Sequence, residues 1–67
     1  MSFVLKYKNL NEKRKLPSDN YTINDLLNDL NLSSQTTVSK QNGELVIEDT
    51  VIEKDDEIQL IQIIYGG

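Results

Sequence analysis

Apolar and polar positions alternate at the beginning of the chain. Phe3, Leu5 and Tyr7 occupy every second position of the segment 2–8, and this period is typical of a strand that buries one face. Val4 has the opposite parity, so we expect it on the outer face of the same strand. The pattern therefore predicts a first strand with Phe3 and Leu5 directed into a core.

A helical period follows in the middle of the chain. Four apolar residues at spacings i, i+3, i+4 and i+7 form one stripe: Ile23, Leu26, Leu27 and Leu30. Thr22 can cap the helix, and Asp25 can complete a capping box and place negative charge near the positive end of the helix dipole. We predict a helix from Thr22 to about Leu32.

Two hairpins are expected, one on each side of this helix. The polar stretch 9–13 predicts a turn, after which residues 14–16 return as a short second strand. Residues 36–38 begin a third strand, and Asn42-Gly43 supplies the two positive-φ residues that a tight hairpin turn prefers. Residues 45–47 then form the returning strand.

The segment 57–64 is the longest and most apolar strand candidate, so we predict that it is central in the sheet. The resulting order ββαβββ predicts an α+β fold: a mixed sheet of four to five strands with one main helix packed on one face. If the first and last strands pair, the fold is a β-grasp (ubiquitin-like). We predict one domain over residues 1–65, followed by a flexible Gly-Gly tail, residues 66–67.

Size and composition argue against an enzyme. A chain of 67 residues builds only a thin core, which leaves little room for a walled pocket. The sequence contains no His and no Cys, so the commonest general base, the thiolate nucleophile and the usual zinc ligands are absent. We expect no metal and no bound cofactor, although carboxylates such as Glu53, Asp55 and Asp56 form either a loose cation site or simply a charged turn.

The net charge is −4, from seven basic and eleven acidic residues. This balance disfavours nucleic acid and suggests a partner with a basic docking surface, or reflects solubility alone. The N-terminal apolar run is too short for a signal peptide or a membrane span. We expect a cytoplasmic protein that does not bind membranes and is a monomer when it is not bound to a partner.

The two C-terminal glycines suggest the chemistry. Gly66 and Gly67 lack side chains, so the tail is expected to be narrow and mobile enough to enter a channel in another protein. A sterically bare carboxylate at Gly67 can attack the α-phosphate of ATP, and a sulfur or amine nucleophile can open the acyl-adenylate. The alternative is a frayed chain end without function.

The order of these features resembles the ThiS/MoaD-type sulfur carriers and the related small archaeal ubiquitin-like modifiers. The resemblance covers the whole chain and is most specific in residues 38–46 (VSKQNGELV), 55–58 (DDEI) and 63–67 (IIYGG). It implies that the carboxylate of Gly67, guided by Gly66, is adenylated with ATP by a ubiquitin-activating-type enzyme and becomes a thiocarboxylate. Sulfur donor and acceptor enzymes of thiamin, molybdopterin or tRNA thiolation are then the partners.

Some relatives are instead joined to lysines of target proteins, and a non-covalent interaction domain with an inert tail is a third reading. The residues do not separate these alternatives. Two positions depart from the family pattern: Asp55-Asp56 stands where Gly-Asp is common, and Tyr65 is bulkier than usual before the glycines. The resemblance implies no catalytic residue, because these carriers are substrates of their activating enzymes.

Alternation also predicts a docking patch on the outer face of the sheet. Ile61 and Ile63 have the parity of Gln59, so they are expected to be exposed beside the tail, with Val4 next to them. With Tyr65, these residues are the candidate contacts for an activating enzyme. Scattered apolar surface residues are the alternative explanation. The lysines either solvate the surface or accept the carboxylate of another copy.

Overall fold

The computed structural model describes residues 1–63. Its elements are β1 (Ser2–Tyr7), β2 (Leu10–Lys15), α1 (Ile23–Asp29), β3 (Thr37–Gln41), β4 (Glu44–Val46) and β5 (Glu57–Gln62). They form one sheet of five strands in the order β2-β1-β5-β3-β4, in which β1 and β5 are parallel and the other neighbours antiparallel. The predicted ββαβββ order and the central position of the last strand are confirmed, and the fold is the predicted β-grasp.

The first hairpin differs from the prediction. Its turn consists of Lys8 and Asn9, because Tyr7 already pairs with Leu10 and β2 extends to Lys15. Lys8 has φ 56°, a left-handed conformation without the glycine that usually indicates it. The predicted turn over 9–13 is therefore wrong. Its polar residues belong to an edge strand, where charged side chains are common because they discourage pairing with other chains.

The helix begins as predicted. The Asp25 N–H donates to Thr22 Oγ1 at 3.2 Å, and the Thr22 N–H donates to Asp25 Oδ2 at 3.0 Å, which completes the capping box. Ile23, Leu26 and Leu27 are at most 1% exposed. The apolar stripe therefore packs on the sheet as its spacing predicted.

The helix ends earlier than the predicted limit near Leu32. Asn31 has φ 59° and its N–H donates to the Asn28 carbonyl, while the Leu32 N–H donates to the Leu27 carbonyl at 2.8 Å. These two bonds form a Schellman motif with asparagine in the position that glycine usually takes. Leu32 folds back against the core instead of extending the helix.

The second hairpin has the predicted turn. Asn42 and Gly43 have φ 52° and 89°, and Gln41 pairs with Glu44 across them. The returning strand β4 is shifted by one residue from the predicted 45–47: it begins at Glu44 and ends at Val46, and Ile47 lies outside it and is 71% exposed. The strand β5 likewise ends at Gln62.

The core lies between the helix and the inner face of the sheet. Its buried apolar residues are Phe3, Leu5, Tyr21, Ile23, Leu26, Leu27, Ile52, Ile58 and Leu60. Ile52 comes from the segment between β4 and β5, and its N–H donates to the Tyr21 carbonyl at 2.8 Å, which closes the side of the core. Within residues 1–63, no helix is long and apolar enough to cross a membrane.

Candidate functional site

The candidate reactive tail follows β5, the central strand of the sheet. Gly66, Gly67 and Tyr65 lie outside the described residues, so their predicted roles stay predictions. The strand that leads to them, β5, has β1 on one side and β3 on the other, and its inward residues Ile58 and Leu60 are 0% and 3% exposed. The root of the tail is therefore held by the core.

The predicted docking residues are only partly brought together. Ile61 and Ile63 are 39% and 36% exposed, as their parity predicted. Val4 lies on the outer face but pairs with Glu57, four residues before Ile61 on β5, which corresponds to about 13 Å. The prediction that Val4 lies beside Ile61 is therefore wrong, because the β1–β5 register places it near the opposite end of the sheet.

A different residue occupies the position next to Ile61. Val38 of β3 pairs directly with Ile61 and shares its outer face, so the two side chains are neighbours across the strands. Sequence reasoning missed Val38 because the β3–β5 pairing joins distant segments whose register is not encoded in local alternation. We call Val38, Ile61 and Ile63 the outer patch.

The turn before β5 departs from the family pattern but keeps its backbone geometry. Asp55 has φ 66°, a left-handed conformation that glycine adopts most easily and aspartate tolerates better than most residues. Its N–H donates to the Ser2 carbonyl at 2.7 Å. The turn is thus formed without the conformational freedom of glycine and is tied to the beginning of β1.

Asp56 links this turn to the second hairpin. Its carboxylate accepts hydrogen bonds from Gln41 Nε2 at 2.7 Å, Asn42 Nδ2 at 3.0 Å and the Glu53 N–H at 2.8 Å. Burial by itself raises the pKa of Asp56, but these three donors outweigh burial and hold the pKa below its usual value. The Asp56 carboxylate therefore has a structural role: it fixes the start of β5 against the second hairpin.

Two further observations concern polar side chains in the described part of the chain. Among residues 1–63, no three carboxylates lie close enough to hold a metal ion. The Tyr21 hydroxyl donates to Asp29, and burial, followed by this hydrogen bond, raises the pKa of Tyr21. The phenol stays protonated, and it serves to join the helix to the preceding loop.

The fold and its elements define the class: a β-grasp protein of the ubiquitin-like type. Two solved structures share it. SAMP1 from Haloferax volcanii superposes with a TM-score of 0.74 at 16% identity and 100% coverage of both chains. The thiamine biosynthesis protein ThiS from Geobacter metallireducens has a TM-score of 0.66 at 16% identity, with 96% of this chain and 99% of that chain covered.

The sequence narrows the class to a family. The model of the ThiS family matches residues 3–67, so this chain belongs to the ThiS family. A search of curated proteins found no significant match. The family match runs through Gly66 and Gly67, the two residues in which sequence reasoning placed the chemistry.

Proposed function

We propose that this protein is a sulfur carrier whose Gly67 carboxylate is adenylated and then converted to a thiocarboxylate. The observation that carries the proposal is the ThiS family match, which extends over the Gly66-Gly67 tail. The anchored strand β5 supports it, because a reactive group on a short tail is presented best when the root of the tail is rigid. The protein is then a substrate of other enzymes.

The chemistry proceeds in two steps. The Gly67 carboxylate attacks the α-phosphate of ATP, so that a C–O–P link forms and pyrophosphate leaves. Hydrosulfide, supplied by the sulfur donor enzyme, then attacks the acyl carbon. A C–S bond forms, the bond from that carbon to the phosphate oxygen breaks, and AMP leaves, so that the product is the thiocarboxylate. Glycine favours both steps, because a side chain on the terminal residue would crowd the acyl carbon. ATP is bound by the activating enzyme, and the carrier binds no cofactor of its own.

The partners follow from this chemistry. A ubiquitin-activating-type enzyme adenylates Gly67, a sulfur donor enzyme supplies the sulfur, and a thiamin, molybdopterin or tRNA thiolation enzyme consumes it, in the cytoplasm. The outer patch is the proposed contact with the activating enzyme, since Ile61 and Ile63 are exposed on the strand that leads to the tail. Val4 is not part of this contact.

Deletion of Gly67 tests the proposal. The intact protein should stimulate ATP–pyrophosphate exchange by the adenylating enzyme of its own organism, and the variant without Gly67 should not. A Gly67→Val variant should be strongly impaired, and a Gly67→Ala variant less so, because the side chain near the acyl carbon grows. Equal thermal unfolding of all four proteins is the control.

Three results would overturn the proposal. Exchange that is unchanged by deletion of Gly67 would show that the tail carboxylate is not activated. Activation followed only by transfer to lysine amines of other proteins, with no thiocarboxylate, would identify a covalent modifier instead. Retained partner binding and cellular function without Gly67 would favour an interaction domain with an inert tail.

A further inference from the structure

Charge is distributed unevenly over the two sides of the sheet. The strand register places four lysines on the outer face, Lys6, Lys13, Lys15 and Lys40, against the single carboxylate of Glu57. The chain has seven basic and eleven acidic residues in total, so three basic and ten acidic residues lie off the outer face. The outer face carries a net charge of +3 and the rest of the chain −7, so the negative sign of the whole chain does not describe this face.

Two of these lysines lie next to the outer patch. Gln59 of β5 pairs with Lys6 of β1 on one side and with Lys40 of β3 on the other. Gln59 is two residues before Ile61, which pairs with Val38. Two residues of a strand span about 7 Å, so the ammonium groups lie within reach of anything that covers Ile61. Lys8, in the β1–β2 turn, lines the same shallow cavity as Ile61.

Within the described chain, Lys6 and Lys40 are not held in strong ion pairs. Lys6 lies 3.3 Å from Glu57, but both side chains are more than two-fifths exposed, so the ion pair contributes little. Between residues 1 and 63, no carboxylate lies within salt-bridge distance of Lys40. Its charge is therefore available to a partner.

We infer that the outer face is a cation-rimmed docking surface for an enzyme that presents an apolar side chain surrounded by carboxylates. This inference rests on the proposed function, since it identifies that enzyme as the activating enzyme. Charge complementarity carries it: a neutral or basic partner surface would face the four lysines at a cost, whereas an acidic one gains affinity and association rate. The outer patch provides the dry centre, and Lys6 and Lys40, on either side of Gln59, are the cations of its rim. Lys13 and Lys15 lie farther away, on the edge strand β2.

A protein fits this face better than a nucleic acid does. Within residues 1–63, the strand positions of the outer face include no aromatic residue and no arginine, the side chains that stack on bases or form bidentate hydrogen bonds with phosphates. The remaining charge of −7 would also repel a long phosphate backbone. The backbone of a nucleic acid duplex also offers no apolar surface that could cover the Val38–Ile61 pair.

Charge reversal tests the inference, with binding measured in the absence of ATP so that the tail chemistry is not required. The full-length protein and its Lys40→Glu variant are titrated with the purified adenylating enzyme of the same organism. Lys54→Glu is the matched control, because it makes the same charge change in the turn before β5, off the outer face. Lys40→Gln provides a milder variant, and thermal unfolding checks that each protein folds.

The expected result is that Lys40→Glu raises Kd about tenfold, Lys40→Gln raises it less, and Lys54→Glu changes it less than about twofold. The Kd of the unsubstituted protein should also rise with salt. Equal effects at Lys40 and Lys54, or tighter binding by Lys40→Glu, would overturn the inference. Salt-sensitive binding of tRNA that depends on Lys40, with no effect on the enzyme, would overturn it as well. The two proposals can fail independently. If the carrier function is wrong, pyrophosphate exchange will not require Gly67, whatever the effect of Lys40→Glu on Kd.

Discussion

The two faces of the sheet differ in burial, and in our proposal they also differ in role: the inner face stabilises the fold and the outer face contacts a partner. On the inner face, Ile58 and Leu60 are almost completely buried beneath the helix, whereas Ile61, on the same strand but on the outer face, is 39% exposed. The part of the inner face that packs under the helix is mainly apolar and buried. The outer face combines a small apolar patch with lysines. A single strand thus contributes to both, and the parity of a residue determines which property its substitution changes.

The largest effect is expected on the inner face. Leu26 is 0% exposed and lies at the centre of the helix stripe, so Leu26→Ala removes packing and leaves a cavity, at a cost of about 2–5 kcal/mol in the free energy of unfolding. Urea unfolding measures this loss. Leu45→Ala is the matched control, since Leu45 is 69% exposed on the outer face and its truncation should change stability by less than about 0.5 kcal/mol.

The reverse pattern is expected on the outer face. Ile61→Asp should raise Kd for the activating enzyme about tenfold or more, because it places a charge in the dry centre of the contact, while the unfolding midpoint changes little. Val51→Asp is the control: Val51 is 40% exposed, nearly the same as Ile61, but bridges Thr22 near the start of the helix. Equal effects on binding from both substitutions would remove the outer patch from the account.

A smaller effect is expected at Asp56, in the turn before β5. Asp56→Ala removes the acceptor of three hydrogen bonds and should cost about 1–2 kcal/mol, since the carboxylate is only partly buried. The folded pKa of Asp56 is lowered, so its stabilisation is present above the unfolded pKa of about 3.9 and is lost as the pH falls through the folded value. The difference in unfolding free energy between the two proteins should therefore shrink below about pH 4. A difference that persists unchanged at pH 2 would contradict this assignment.

The smallest effect is expected next to it. Asp55 holds φ 66°, so Asp55→Gly restores the residue that is common in the family and relieves backbone strain. The expected gain in unfolding free energy is at most about 1 kcal/mol, because glycine also increases the entropy of the unfolded chain. Chemical denaturation at neutral pH measures it, and a clear loss of stability would show that the Asp55 side chain makes a contribution of its own.

Much of the fold follows from local patterns in the sequence. The helix stripe, the Thr22–Asp25 capping box and the Asn42-Gly43 turn are short-range signals, and each appears in the structure where it was predicted. The first turn was missed because Lys8 adopts a positive φ without a glycine to indicate it. The helix end was misplaced because Asn31 terminates the helix with a positive φ, in the position where glycine is the usual signal.

The docking face was harder to predict than the fold. Alternation placed Ile61 and Ile63 on the outer face, but pairing partners depend on contacts between distant segments, so Val4 was included in the patch and Val38 was missed. The positive charge of the outer face was also not predicted, because the net charge of −4 is the sum of a positive outer face and a negative remainder of the chain. The chemistry of the tail was predicted from Gly66 and Gly67 together with the order of the elements and the family resemblance, and it stays a prediction.

The intact mass of the protein shows whether Gly67 carries sulfur. It would be measured after isolation from its own cells, and after incubation with ATP, its activating enzyme and a sulfur donor, with the Gly67 deletion treated in parallel. The account predicts that one oxygen of the Gly67 carboxylate is replaced by sulfur, and that the deletion variant stays unchanged. An unaltered mass, or a mass change that the deletion variant shares, would contradict a sulfur carrier that acts through Gly67.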